Sequence, residues 1–138
     1  MKYFLNLILL TLLSCKSTSS FTKDGFITIG TQEKVQTKEH TFLKIEKILS
    51  DSRCPEGVNC IRAGEVKLLL QINTQEDVII VPMTIDYKNF ETNKKLLEQY
   101  IQLDQEIITD IQIYPNAKSG EKISSDLYYL KILVGKSN

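Results

Sequence analysis

The stretch VKLLLQINTQEDVIIV, residues 66–81, decides the fold class of this chain. Two aliphatic runs, 66–72 and 78–81, flank a short polar segment. Apolar runs of this length separated by turn-forming residues predict an antiparallel hairpin. Pro82 follows directly and cannot donate a hydrogen bond to a neighbouring strand. It therefore predicts either the end of the second strand or a position at the edge of the sheet.

The same pattern of short apolar runs continues on both sides of this hairpin. In residues 42–49, alternation places Leu43, Ile45 and Leu49 on one face and Ile48 on the opposite face. The chain contains roughly seven predicted strands separated by turn-forming residues, and one of these strands lies in an ambiguous segment. This predicts an all-β fold, a single β-sandwich-like or partly open barrel domain of antiparallel strands. The other predicted strands are 26–29, 107–114 and 127–134.

The ambiguous segment is 93–101. Leu96, Leu97, Tyr100 and Ile101 lie at helical spacing, and the intervening residues are good helix formers. A strand over 99–103 competes with this helix. Because the neighbouring segments read as strands, we expect a strand here.

Composition excludes some classes of function. The 138 residues include 17 Lys and Arg and 17 Asp and Glu, so the formal net charge is +0. This balance argues against a nucleic-acid partner, which would favour a basic excess. The one histidine, His40, lies in a polar stretch and is expected in an exposed turn. No nucleophile elbow or phosphate-binding glycine loop occurs, and no cofactor is predicted.

The N-terminal residues 1–14 carry a targeting signal. Lys2 precedes an apolar run over 3–13, which is shorter than the ~20 residues of a membrane-spanning helix. The run ends in Leu-Leu-Ser before Cys15, and this sequence resembles the lipobox of a bacterial lipoprotein signal peptide. The resemblance implies cleavage before Cys15 and lipidation of its sulfur. The alternative is a buried N-terminal segment with Cys15 as a free thiol.

These features divide the chain into three parts. Residues 1–14 form the signal peptide, 15–24 a Ser/Thr-rich flexible tether, and 25–136 the β-rich domain. In some bacterial lipoproteins an acidic run after the lipidated cysteine is associated with export to the cell surface, and no such run follows Cys15. We therefore expect a bacterial envelope protein anchored by lipid, on the outer membrane and facing the periplasm.

The most distinctive segment is DSRCPEGVNCIRAGE, residues 51–65. Five residues separate Cys54 from Cys60, unlike the two-residue spacing of redox pairs and zinc knuckles. Residues 54–57 predict a type I turn, with Pro55 second and Gly57 fourth, which returns the chain towards Cys54. In the oxidising compartment of an exported protein, this spacing predicts a Cys54–Cys60 disulfide.

This segment resembles a group of small exported Bacteroidota proteins of unknown function, many of them lipoproteins. Their signature is Asp-Ser-Arg-Cys-Pro, a short gap, then Val-x-Cys-x-x-Ala-Gly. The resemblance implies a β-rich fold and the disulfide, and it supplies no activity. One departure is Arg62, where the group often has an aromatic residue. The matching residues are Asp51, Ser52, Arg53, Cys54, Pro55, Val58, Cys60, Ala63 and Gly64.

Five charged residues make this segment a candidate interaction loop: Asp51, Arg53, Glu56, Arg62 and Glu65. Constrained loops on rigid scaffolds often carry binding sites. The alternative is structural: Asp51 and Ser52 cap a turn, and Arg53 pairs with a nearby carboxylate. The oxygen-bearing residues do not have the spacing of an EF-hand, and no metal site is predicted.

The sequence favours a non-enzymatic binding or interaction module, held at the membrane by its lipid, with an envelope protein or glycan as partner. Two alternatives are an envelope hydrolase with a carboxylate pair and an inhibitor that inserts the disulfide loop into an enzyme. A pocket with two carboxylates would favour the hydrolase, and a protruding rigid tip at 55–59 the inhibitor. Of the adjacent Tyr128 and Tyr129, one is expected in the core and at most one exposed.

Overall fold

The computed structural model describes residues 25–136 except 33 and 39. The predicted signal peptide, Cys15 and the tether lie outside the described residues. Within the described part of the chain, no helix is long and apolar enough to cross a membrane. The elements are β1 (Phe26–Gly30), β2 (Val35–Lys38), β3 (Thr41–Asp51), β4 (Val66–Asn73), β5 (Val78–Ile85), α1 (Phe90–Tyr100), β6 (Glu106–Tyr114), a 3₁₀ turn (Ser125–Leu127) and β7 (Tyr129–Lys136).

The seven strands form two antiparallel sheets, which confirms the sandwich-like, all-β prediction. One sheet has the order β1-β7-β6 and the other the order β2-β3-β4-β5. The predicted hairpin is β4–β5, and β5 continues through Pro82 as an edge strand. Alternate residues of β4 are fully buried between the sheets, because successive side chains of a strand point to opposite faces. These residues are Val66, Leu68, Leu70 and Ile72.

Strand β3 departs from the predicted alternation. Its pairing with β4 shifts between Ile45 and Lys47 and again between Ile48 and Ser50. Each bulge adds one residue and reverses the side-chain phase. Leu49, predicted on the same face as Leu43 and Ile45, is therefore 50% exposed, whereas Ile48 packs against the core. The second bulge restores the original phase, so Asp51 pairs with the buried Val66 and faces inward.

The expected strand at 99–103 is wrong, because residues 90–100 form helix α1. The helix buries Asn93 and Leu97, with Ile101 just beyond its end, and this four-residue spacing defines one helical face. Asn93 Nδ2 donates to the Thr84 carbonyl over 2.8 Å. The helix thereby closes the side of the sandwich between β5 and β6. The seventh strand is instead β2, and an exposed turn at the positive-φ His40 connects it to β3.

Candidate functional site

The loop over residues 52–65 joins β3 to β4 and contains the Cys54–Cys60 disulfide, as predicted. Its base continues the two strands: the Ser52 N–H donates to the Glu65 carbonyl over 2.9 Å, and the Cys54 N–H donates to the Ala63 carbonyl over 2.8 Å. The loop is thus a hydrogen-bonded extension of the β3–β4 pair that a covalent bond closes.

Gly64 permits this close approach of the two loop strands. Its φ is +75°, a backbone conformation that residues other than glycine rarely adopt. A Cβ atom there would lie 1.9 Å from the Ser52 carbonyl oxygen. The glycine of the signature is therefore required by backbone geometry.

The Arg53 side chain ties the loop to the other sheet. Its Nε and Nη2 donate to the Asp51 carboxylate over 3.0 and 2.6 Å, which confirms pairing with a nearby carboxylate. Nη1 also donates to the Ile113 carbonyl and Nη2 to the Pro115 carbonyl, both over 2.8 Å. One planar guanidinium thus binds a carboxylate and two main-chain carbonyls that flank the cis Tyr114–Pro115 bond.

Asp51 is the centre of this network. It accepts hydrogen bonds from the Arg53 N–H over 3.1 Å and from the Tyr128 hydroxyl over 2.8 Å. Burial raises the pKa of Asp51, but the hydrogen bonds from Arg53 and Tyr128 and the charge of Arg53 outweigh it, so the pKa lies below its ordinary value. Burial and the contact with Asp51 raise the pKa of Tyr128 to about 12. Asp51 is therefore an ionised structural anion.

The two adjacent tyrosines separate as predicted. Tyr128 is 5% exposed in the network, and Tyr129 is partly exposed and stacks on Tyr114 with ring centroids 5.4 Å apart. Sequence alternation indicated that one ring is buried. It carried no signal that the buried ring reaches Asp51.

The predicted turn is displaced by one residue. The Val58 N–H donates to the Pro55 carbonyl over 3.2 Å, and Gly57 has a φ of +75° in the third position, as a type II turn requires. The Glu56 N–H donates to the Ala117 carbonyl over 2.9 Å. The Asn116 amide also donates to the Glu56 carboxylate. Glu56 is thereby held against the chain after β6, although residues 56–59 remain exposed to solvent.

Residues 56–63 of the loop are all exposed to solvent. Val58 is 46% exposed, Ile61 is fully exposed at 103%, and Arg62 is exposed. Ile61 and Arg62 border a groove of about 680 Å³ whose other wall contains Tyr87 and Lys88. We call these five residues, Val58, Ile61, Arg62, Tyr87 and Lys88, the loop tip.

The carboxylates beside the groove have partners within the protein. The Glu65 carboxylate pairs with the Lys67 ammonium at 3.0 Å. Asp86 accepts hydrogen bonds from the Lys88 and Asn89 main chain and from the Asn89 side chain. These bonds hold the pKa of Asp86 below its ordinary value despite the opposing effect of desolvation. The carboxylates are thus engaged within the protein, and the cations Arg62 and Lys88 face the groove.

A second cavity, of about 960 Å³, lies on the other side of the Arg53 network. It is bordered by the outer half of β3 and by residues 117–125, and its two lining carboxylates are Asp51 and Glu121. Asp51 is already bonded to Arg53 and Tyr128, and its lowered pKa is opposite to the shift a general acid needs. Among the described residues, no three His, Cys, Asp or Glu side chains gather as a metal site would require.

The five predicted loop residues therefore separate into two groups. Asp51, Arg53 and Glu56 bond within the protein, and Glu65 pairs with Lys67 beside the groove. Only Arg62 belongs to the loop tip. Sequence reasoning missed the other members, because Tyr87 and Lys88 come from the segment after β5 and carry no motif. Comparison of the chain with protein-family models, curated proteins and solved structures finds no significant match in any of the three.

Proposed function

We propose that this chain is a lipid-anchored envelope protein that acts as a non-enzymatic binding module and engages a protein partner through the loop tip. The observation that carries the proposal is the complete exposure of Ile61 on a loop held by a disulfide. Exposing a large apolar side chain to water is unfavourable, and burying it at an interface recovers that free energy.

Rigidity of the loop supports a role in recognition. The disulfide, the main-chain bonds of Ser52 and Cys54, and the anchoring of Arg53 fix the loop before any partner binds. A preorganised loop loses less conformational entropy on association than a mobile one. Aromatic and arginine side chains are also enriched among the residues that dominate interface energies, and the tip contains Tyr87 and Arg62.

The charges of the loop tip indicate the chemistry of the partner. Arg62 and Lys88 are its two ionised groups, and the Lys88 ammonium lies 5.6 Å from the centre of the Tyr87 ring. An acidic surface with an apolar pocket for Ile61 complements this arrangement. The N-terminal lipid on Cys15 would hold the module at the membrane, where such a partner is presented.

The test is recovery of partners from a membrane extract by the full chain. Ile61→Ser removes the apolar anchor and is expected to lower recovery of a specific partner by about tenfold or more. The matched control is Leu127→Ser, which removes a 57% exposed side chain outside the loop tip. Equal recovery by the wild type and Ile61→Ser, with both proteins folded, would contradict the proposal.

The same exposed tip favours one second candidate, an inhibitor of an envelope-directed enzyme. A rigid loop with an apolar end is suited to entering a cleft. If the recovered partner is an enzyme, its turnover should fall on addition of the wild-type chain and recover with Ile61→Ser. If the chain binds the enzyme and turnover is unchanged, the result supports the binding module and contradicts the inhibitor.

A further inference from the structure

The outer edge of β5 is a second surface that the loop tip does not explain. Val78, Ile79 and Ile80 are 62%, 38% and 53% exposed at the beginning of this edge strand. The strand reads VIIVPMTI and carries no charge. Proteins usually protect edge strands with charges or by keeping them short. The opposite edge of the same sheet, β2, is four residues long and includes Lys38.

The hairpin geometry determines which main-chain groups of β5 point outward. The Thr74 N–H donates to the Asp77 carbonyl, and the Asp77 N–H donates to the Thr74 hydroxyl, so Thr74 and Asp77 form a hydrogen-bonded pair across the hairpin. Hydrogen-bonded and non-bonded pairs alternate along antiparallel strands. It follows that Val78, Ile80, Pro82 and Thr84 direct their main-chain groups away from β4.

Two independent observations agree with this assignment. Pro82 has no N–H, and its place in the strand requires its nitrogen to face away from β4. The Thr84 carbonyl accepts a hydrogen bond from Asn93 of α1, outside the sheet. The helix therefore covers the far end of the edge, while the outward N–H and C=O groups of Val78 and Ile80 face no other strand of the described residues.

We propose that two copies of this chain pair antiparallel through β5, about a two-fold axis at Ile79, and join their four-stranded sheets into one. In this register Val78 lies opposite Ile80 of the other copy, and each such pair exchanges two hydrogen bonds. Ile79 lies opposite its own counterpart, and every side chain keeps its face of the sheet. The interface is isologous and closes at a dimer.

Pro82 and the position at which β5 begins select this register over its neighbours. A two-fold axis at Ile80 would place Val78 opposite Pro82, which lacks the N–H for the second bond of that pair. An axis at Val78 would place Ile80 opposite Glu76, which lies in the turn before β5, so only the Val78 pair would exchange hydrogen bonds within the strand. With the axis at Ile79, Asp77 lies opposite Val81 and Glu76 opposite Pro82, so no like charges meet.

A contact of so few residues buries less surface than the ~1,200 Å² of a stable complex, so the dimer is expected to be reversible in solution. Confinement of lipid-anchored copies to one membrane would raise their effective concentration and favour pairing. The pairing itself depends only on β5 and is tested without the lipid.

Cysteine cross-linking tests the register directly, in the full chain carrying Cys15→Ser and purified in detergent. Ile79→Cys is expected to form a disulfide-linked dimer on mild oxidation, since non-bonded partners lie ~4.5 Å apart at Cα. Ile80→Cys is the matched control, because the register offsets the two copies of residue 80 by two positions. Residue 80 is the more exposed of the two, so random collision would favour it. Equal or greater cross-linking at 80, or none at 79, overturns the proposal.

Sedimentation at increasing protein concentration tests the dimer without cross-linking. Ile80→Pro removes an outward N–H from each copy and leaves the bonds to β4, so the dissociation constant is expected to rise about tenfold. Ile80→Lys gives an independent variant in case the proline disturbs folding, and Leu127→Lys is the control for an added charge. A wild type that stays monomeric, as it would if β5 served another protein's strand, overturns the proposal, as does unaltered dimerisation of folded Ile80→Lys.

Discussion

The Tyr128 hydroxyl donates a hydrogen bond to Oδ2 of Asp51 over 2.8 Å, across 77 positions of the chain. Asp51 is the last residue of β3, and Tyr128 immediately precedes β7, which belongs to the other sheet. Arg53 lies beside both, with its guanidinium carbon 5.9 Å from the centre of the Tyr128 ring. This contact joins the disulfide loop to the second sheet.

The pKa of Tyr128 predicts a loss of stability in alkali. The ordinary pKa is 10.0 and the folded value is about 12, so between these values the unfolded chain loses the proton first. The contribution of Tyr128 is therefore complete below pH 10 and is lost as the pH rises towards 12. Absorbance titration should show one late-titrating tyrosine that disappears in Tyr128→Phe. An unchanged titration curve in that variant would contradict the assignment.

Replacement of Arg53 should destabilise the domain. Arg53→Ala removes the guanidinium from the Asp51 carboxylate and the side-chain donor from two carbonyls, which is expected to cost about 3 kcal/mol in the free energy of unfolding. Arg53→Lys keeps the charge but lacks the planar fork, and should lose about 2 kcal/mol. Urea unfolding measures both. The control is the exposed Arg62→Lys, expected within about 0.5 kcal/mol of the wild type; equal effects at 53 and 62 would refute the network.

Two glycines with the same φ provide a matched pair. Gly64→Ala introduces both positive-φ strain and a Cβ atom 1.9 Å from the Ser52 oxygen. Gly57→Ala introduces the strain alone, since no atom of the described residues lies within 4 Å of its added Cβ. We expect a loss of about 1 kcal/mol at Gly57 and clearly more at Gly64. Thermal unfolding compares the two, and similar losses would show that close approach at Gly64 is unimportant.

The disulfide should contribute modestly to stability. Closing a loop of this size is worth about 2 kcal/mol in the unfolded chain by the entropy argument. The hydrogen bonds of Ser52 and Arg53 at the loop base do not depend on it, so the double variant Cys54→Ser, Cys60→Ser should remain folded. Chemical unfolding gives the difference. Thiol labelling of the unreduced wild type at Cys54 would show that the bond does not form.

The proposed lipid anchor predicts a specific mature N-terminus. Mass spectrometry of the protein isolated from membranes should detect acylated Cys15 as the first residue. In Cys15→Ser the membrane-bound fraction should fall, because no thiol remains to accept the lipid. Retention of Met1 in the membrane-bound wild type would exclude the processing.

Local sequence patterns were enough to predict much of the fold. The β4–β5 hairpin follows from aliphatic runs around a polar turn, since period-two burial is a property of the strand itself. The disulfide follows from a turn between two nearby cysteines. The phase of β3 was not predictable, because its two bulges arise from pairing with β4. They move Leu49 outward and aim Asp51 inward.

Helix α1 shows the same limit. Its residues fit a helix or a strand locally, and its end is stabilised by a distant segment. The Thr37 hydroxyl donates to the Tyr100 carbonyl over 2.7 Å, and the Lys38 ammonium donates to the Gln99 carbonyl. These bonds satisfy carbonyls that a helix leaves unpaired at its C-terminus. Nothing in the sequence around 93–101 indicates that residues of β2 supply these hydrogen bonds.

The sequence by itself therefore determined the all-β class, the hairpin and the disulfide, because each depends on residues close together in the chain. Tertiary structure decided which charges of the loop are used internally and which are exposed. Arg53 and Arg62 have the same chemistry nine positions apart. Only packing brings the Ile113 and Pro115 carbonyls to Arg53 and leaves Arg62 in solvent, since a hydrogen bond depends on distance in space and not on separation along the chain.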